Sequence, residues 1–377
     1  MKHNLLHQRP LNLIPPLPKN PYSLPIVSIG AGAIVTLGHL PAYELAGFRV
    51  KGIFDINRDR ALDVAKKWNI PNVYNTLNEA CGSSSEDVIY DLAVPSKQII
   101  PILKQIPMNS HVLMQKPMGE NLSDAQAIVK ICKERHIHGS VNLQLRYAPY
   151  ILALKDAIHR GWLGDRLTTI EVHVNAHTAW TSWPFLATAP RLELIYHSIH
   201  YVDLIRDLLA PHDPSALHCR SSQHAAMPHL TPVRSSYSFV YAHDPMLYVN
   251  IYTNHHHRWG KNHAQSYLLV EGTEGTARAQ IGDNLAYGEC TEGKQVDSLQ
   301  ICSDKITNGE WVDIDLQQRN RFPHAFIGPM AAAIRRYENE NDRPSTDIED
   351  ALKTMAVLEA AWDSSTNHMT SISYKLT

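Results

Sequence analysis

The chain has 377 residues, more than one typical domain needs, and 44% hydrophobic with 19% charged residues is enough apolar content for two globular domains with ample core. A formal net charge of −2 gives no electrostatic case for nucleic acid or an anionic membrane surface as a partner. No apolar run is long enough to cross a bilayer, no signal-peptide pattern opens the chain, and five scattered cysteines without CxxC spacing point to reduced thiols in a cytoplasm.

Residues 1–22 are rich in proline and without periodicity, and read as an extended arm, either flexible or laid across a neighbouring subunit. The stretch "IVSIGAGAIVTLGH" (26–39) then sets the frame: a buried strand, a glycine turn and a helix running through about Ala46. Gly30 suits the tight turn, and Gly32 would let a pyrophosphate approach the helix N-terminus. A second strand, "FRVKGIFD", ends at Asp55, placed to accept hydrogen bonds from an adenosine ribose. Helix and strand continue to alternate through "RDRALDVAKKWNI", "DVIYDLAVP", a helix around Gln98–Ile106 and "HVLMQKP". That alternation predicts a parallel sheet with right-handed crossovers, which sets Lys116 at the carboxyl edge where such sheets bind ligands. Ser123 and Gln126 form a capping-box pattern for a helix ending near Gly139.

Beyond about residue 145 the rhythm changes. "RLTTIEVHVNA", "VRSSYSFVYA", "MLYVNIYTN", "SYLLVEG" and "TARAQIG" read as successive strands with few helices between them. The expected fold class is therefore a doubly wound α/β Rossmann domain (23–145), followed by an α+β domain (146–377) with a large, mainly antiparallel sheet open on one face. An open face calls for a partner, so a homodimer or homotetramer is expected. "EDALKTMAVLEAAWDSS" is a strong amphipathic helix pattern near the end.

Within the second domain, "RLELIYHSIHYVDLIRDLL" is helical by pattern. Ile195, Ile199, Val202, Ile205 and Leu209 form an apolar stripe, and Glu193, Tyr196, His197 and His200 share the other face. A metal site from Glu193, His197 and His200 is compatible with that spacing, but no remote ligand stands out and none is assigned. His255, His256 and His257 alternate faces if they lie in a strand, and read as strand-end or surface polar residues. Trp180 and Trp183, in the loop pattern "HTAWTSWPFL", could cover the apolar face of a sugar.

The ordered set "GAGAIVTLGHLPA", "AVPSKQ", "QKP", "NLQLRYAP", "GWLGD", "HSIHYVDL", "EGTEGT" and "EDALKTMAVLEA" resembles the Gfo/Idh/MocA family of NAD(P)-dependent oxidoreductases, which act mostly on sugars and cyclitols. The resemblance implies a cofactor site along Gly30, Gly32, Ala33, Ile34, Asp55, Pro95, Gln98, Gln115 and Lys116. It implies His200 as the acid/base residue, with Lys116 stabilising a developing alkoxide and His197 beside them. Arg146, Tyr147, Trp180, Trp183, Tyr196 and His197 are the candidate substrate contacts. This chain departs from the family at three of these positions. The usual glutamate before the lysine is Gln115, the aspartate four residues before the catalytic histidine is Tyr196, and Gln98 stands where many members carry histidine.

The expected activity is hydride transfer from a secondary hydroxyl of a sugar, sugar derivative or cyclitol to NAD. Asp55 favours NAD, while the nearby Arg58 and Arg60 keep NADP within reach. Two rivals stand beside it: a redox-assisted elimination or glycoside cleavage that retains NAD, and a sugar- or nucleotide-sensing regulator that has kept the fold and lost turnover.

Overall fold

The computed structural model describes residues 10–82, 86–178, 186, 188–227, 229–257, 259, 265–281 and 297–367. Its first sheet is parallel and six-stranded, in the order β3-β2-β1-β4-β5-β6. The strands are β1 (Ile26–Ile29), β2 (Val50–Phe54), β3 (Asn72–Val73), β4 (Ile89–Leu92), β5 (His111–Met114) and β6 (His138–Val141). β1 and β4 are buried on both faces, which is why they read as short unbroken apolar runs rather than alternating ones.

β6 was not expected from sequence. The preceding helix stops at Glu134 rather than near Gly139, and "HGSV" is too short and too polar to announce a strand. The same helix begins at Leu122, capped by Asn121, whose side chain accepts the Asp124 N–H at 2.9 Å, so the capping box read at Ser123 is not its start.

The second sheet has eight strands in the order β14-β13-β12-β11-β7-β10-β9-β8. They are β7 (Leu167–Asn175), β8 (Ala216–Ser222), β9 (Arg234–Val240), β10 (Tyr248–Asn254), β11 (Gln265–Gly272), β12 (Gly275–Gln280), β13 (Ser298–Ser303) and β14 (Trp311–Asp313). All pairings are antiparallel except β7 with β10. Alternate residues, such as Ile170, Val172 and Val174, point into the core, while Glu171, His173, Tyr252 and Tyr267 stay partly open on the other face. Three of these strands escaped the sequence reading: in β8 and β13 serine, histidine and glutamine dilute the apolar alternation, and β14 is only three residues long.

Over its described part the proline-rich arm packs on its own chain. Leu11 and Leu13 are buried, and Arg160 holds the Pro10 carbonyl. The main-chain N–H of Asn12 donates to Asp156, and those of Lys19 and Asn20 donate to Glu338. An alternating apolar pattern in an extended segment lets one side pack on the chain's own helices.

Candidate active site

The glycine turn fits a dinucleotide. Gly30 has φ +115°, and a Cβ there would collide with the Ala93 carbonyl, so only glycine makes this turn. A Cβ on Gly32 would meet nothing within 4 Å, leaving open space above the loop for a pyrophosphate. Ala33 is exposed and Ile34 half-buried at the head of the following helix, whose first turn, Val35–His39, is a π-helix. Asp55 closes β2. Its carboxylate accepts the Ala31 and Asn57 N–H groups, each at 2.8 Å, which fixes it beside the turn with acceptor capacity left for ribose hydroxyls. Pro95 and Gln98 are exposed at the end of β4. These residues can hold the cofactor's pyrophosphate and adenosine ribose.

Gln115 faces inward rather than toward open space. Its amide donates to His39 Nε2 at 2.8 Å, as does Asn142 at 3.1 Å. The opposite nitrogen of His39 meets Asp91 at 2.7 Å, and Tyr43 donates to the same carboxylate. Two amide donors converging on Nε2 leave the imidazole proton on Nδ1, toward Asp91. The Gln115 carbonyl accepts the Lys116 N–H at 2.9 Å, so a buried relay from Asp91 through His39 steadies the main chain at Lys116.

Lys116 crosses the seam between the domains. Its ammonium donates to the Tyr196 carbonyl at 2.8 Å. Burial, and then the positive charge of Arg321, push its pKa down to about 7. Tyr196 is itself buried, with its hydroxyl 3.0 Å from Ser96 Oγ at the end of β4 and 3.5 Å from Glu120.

The helix carrying Tyr196, His197 and His200 differs from the sequence expectation. Residues Leu192–Ser198 form a π-helix that continues as an α-helix at Ile199–Leu208. There is no polar face: Glu193 and His200 are buried with the apolar stripe, and His197 is the more open histidine at 15% side-chain exposure. The wider turn brings Ser198 back to Glu193, five residues earlier, at 2.8 Å.

Glu193 is the hub beneath the site. One carboxylate oxygen accepts Ser198 and Thr253, and the other accepts His255 Nδ1–H at 2.8 Å and His197 Nδ1–H at 3.4 Å. Burial alone would raise its pKa, but the charge and hydrogen bonding of His255 and His197 outweigh that and hold it well below the ordinary carboxylate range. Burial first, then His255, lowers His197 to about 4 against the pull of Glu193. His200 lies well below the ordinary histidine range, from burial first and then from Lys116 and Arg321, and its Nδ1 has no described partner.

His255 therefore corrects the surface reading of the triple histidine. It is 7% exposed, its ring stacks on His197 at 4.0 Å, and it is the remote third member that the helix alone lacked. His256, also buried, turns the other way toward His177 and His224, as alternation requires. Ligand atoms of Glu193, His197 and His255 lie within 4.8 Å of one another, close enough to hold a metal ion. The stacked rings, however, direct their Nδ1 atoms side by side at a carboxylate that already accepts four donors, and hydrogen bonds alone satisfy the cluster.

Two expected substrate contacts are engaged within the protein itself. Arg146 is 3% exposed, with its guanidinium held by Asp203, Asp350 and the Ser345 carbonyl. Tyr147 packs its ring on Gly328 and bonds Ser345. A sequence pattern cannot separate a packing joint from a ligand contact. Trp180 and Trp183 lie outside the described residues. Arg321, which no sequence pattern singled out, is the missed residue of the seam.

Family models match nearly end to end: "Oxidoreductase family, NAD-binding Rossmann fold" over residues 24–143 and "Oxidoreductase family, C-terminal alpha/beta domain" over 155–373. A mouse (Mus musculus) trans-1,2-dihydrobenzene-1,2-diol dehydrogenase is 26% identical over 202 residues, 51% of this chain and 58% of that protein. The galactose/lactose metabolism regulatory protein GAL80 of Saccharomyces cerevisiae is 25% identical over 177 residues, 44% of this chain and 40% of its own length. The matched stretches thus span about half the length of these curated relatives. Among solved structures, an oxidoreductase from Agrobacterium radiobacter, in complex with NAD+, L-tartaric acid and magnesium, superposes with a TM-score of 0.74 at 20% identity, covering 92% of this chain and 97% of that one. With its glycine turn, an aspartate closing β2 and a lysine at the seam, the chain belongs to the Gfo/Idh/MocA family of NAD-binding oxidoreductases.

Proposed function

We propose that this protein is an NAD-dependent dehydrogenase that oxidises a secondary hydroxyl of a sugar, sugar derivative or cyclitol. The observation that carries the reading is the convergence of Lys116, His197 and His200 at the domain seam, next to a glycine turn shaped for a dinucleotide. NAD, when bound, supplies the hydride acceptor. Lys116 stabilises the alkoxide that develops as the hydroxyl proton leaves. His200 takes that proton, since burial and two neighbouring cations keep its imidazole unprotonated. His197, oriented by Glu193, holds a second substrate hydroxyl. The partly open outer face of the second sheet, with Tyr248 and Trp311 exposed, supports assembly as a homodimer or homotetramer.

The test is a panel of sugars and cyclitols with NAD, following NADH absorbance and checking for cofactor that co-purifies. NADH released with at least one secondary alcohol supports the reading. Tightly retained cofactor with product but no net NADH would replace it with redox-assisted elimination or cleavage. No turnover with any alcohol, despite NAD binding, would replace it with a sensing role.

A further inference from the structure

We propose that the substrate carries an anionic group, a carboxylate or a phosphate monoester, gripped near the reacting carbon by Arg321 together with Lys116. The inference deepens the dehydrogenase reading and rests on the same site.

The charge inventory of the seam is one-sided. Arg321 is a cation and Lys116 is one whenever it is protonated, and each then lowers the proton affinity of His200. The two positions where the family pattern carries acids are Gln115 and Tyr196 here, and both are neutral. Glu193, the carboxylate beneath the histidines, is sealed by four donors. Glu120 is engaged by Lys97 at 3.6 Å. The Asp297 carboxylate accepts the main-chain N–H of Arg321, which pins the backbone there. Among the described residues, neither the Lys116 ammonium nor the Arg321 guanidinium forms an ion pair.

The guanidinium of Arg321 is also short of acceptors. Its Nε–H is buried with no described partner. Arg135, Arg234 and Arg335 also leave Nε unpaired but commit a terminal nitrogen to a described acceptor, whereas Arg319, two residues before Arg321, is short of acceptors in the same way. An unsatisfied buried donor of this kind is costly, more so when charged, and a bound acceptor would recover that cost.

Its position is fixed from both sides. The short helix Arg321–His324 packs against the helix that follows the glycine turn, with Phe322 on Phe326 at 5.0 Å and Phe326 on His39 at 5.4 Å. Arg321 therefore stands at the junction of the cofactor turn and the substrate domain, near enough for its charge to act on both Lys116 and His200. A planar guanidinium fork pairs bidentately with a carboxylate or a phosphate, and a lysine one step away adds a point charge.

The experiment compares matched alcohols on the NAD-loaded protein: galactose with galacturonate and galactose 6-phosphate, and glucose with its two counterparts. Turnover is read as kcat/KM, and binding by calorimetry. One of the anions should exceed its neutral parent by about thirtyfold or more, the worth of a charge-assisted pair, and which anion wins separates carboxylate from phosphate. In R321Q the anion-over-neutral ratio should fall to near unity. Should R321Q not fold, R321K, which keeps the charge but not the fork, should still lower the ratio about tenfold. A wild-type ratio near or below one, or a ratio that survives in the variants, overturns the proposal. Anion binding that depends on Arg321 with no NADH formed would uphold it while ending the dehydrogenase reading. Oxidation of neutral sugars with no anion preference would do the reverse.

Discussion

Lys116 sits where a single charge decides the chemistry. If it stabilises charge that develops only in the transition state, Lys116→Met should lower kcat by roughly a hundredfold while the NAD dissociation constant changes little. Near-normal turnover would make the lysine a mere staple between the domains, through its bond to the Tyr196 carbonyl. The two histidines separate by a similar comparison. His200→Ala should remove most of the activity, and His197→Ala should mainly raise KM. The opposite pattern would assign proton transfer to the histidine that rests on Glu193. Lysine was legible in the sequence from its place at a sheet edge, and the two histidines from the family resemblance rather than from their helical spacing. Arg321 and His255 were not, because each joins the site only through contacts made across the fold by a segment that is itself unpatterned.

At the scale of the element, the turn after β1 and the π-helical turn over the second sheet make separate predictions. Asp55 at the end of β2 should bond the ribose and repel a 2′-phosphate, so kcat/KM should be higher with NAD than with NADP. Asp55→Ser should narrow or reverse the ratio, helped by Arg60, which lies 3.8 Å from that carboxylate. The π-helical turn buries two imidazoles whose folded pKa values are depressed, His197 to about 4 and His200 in the same direction. Between their unfolded pKa near ~6.5 and the folded value, the unfolded chain binds protons that the fold refuses. Stability should therefore be full above that range and fall as pH drops from about 6.5 toward 4, read as a falling urea midpoint. The slope should flatten in the double variant His197→Ala, His200→Ala. The helix was visible in the sequence as an apolar stripe, but its π character was not. A stripe of five apolar residues fits 3.6 or wider spacing equally well over so short a run, and only the Ser198–Glu193 contact decides it.

At the scale of the whole molecule an ion network lies at the domain joint. Arg146 follows β6, Asp203 belongs to the helix Ile199–Leu208, and Asp350 belongs to the long helix Ile348–Asn367. Arg206 extends the network to Asp213 and again to Asp350. Removing one partner leaves buried charge uncompensated, so Arg146→Met should cost about 3–5 kcal/mol in urea unfolding. A variant that folds should keep its KM, which is the outcome that separates a joint from a substrate contact. The two-domain division was legible because helix–strand alternation gives way to strand after strand near residue 145. The joint was not, since its charges come from stretches about 60 and 200 residues apart, as with Arg146 to Asp203 and to Asp350.

The return of the final helix has a consequence for how freely this architecture can be recombined. Ile348–Asn367 packs on the helix Leu122–Glu134 of the first domain as well as on Ile199–Leu208 and β8 of the second, and its Glu359 accepts the Leu122 N–H. One buried cluster runs without a break from Val27 and Leu92 through Leu145 to Val172 and Leu358. The boundary drawn by sequence is therefore not a seam along which the molecule can be cut. A Rossmann half expressed alone would expose the bed of the final helix. A chimera that swaps cofactor domains between relatives would have to carry Leu122–Glu134 and Ile348–Asn367 across as a matched pair, though more than half of the chain separates them.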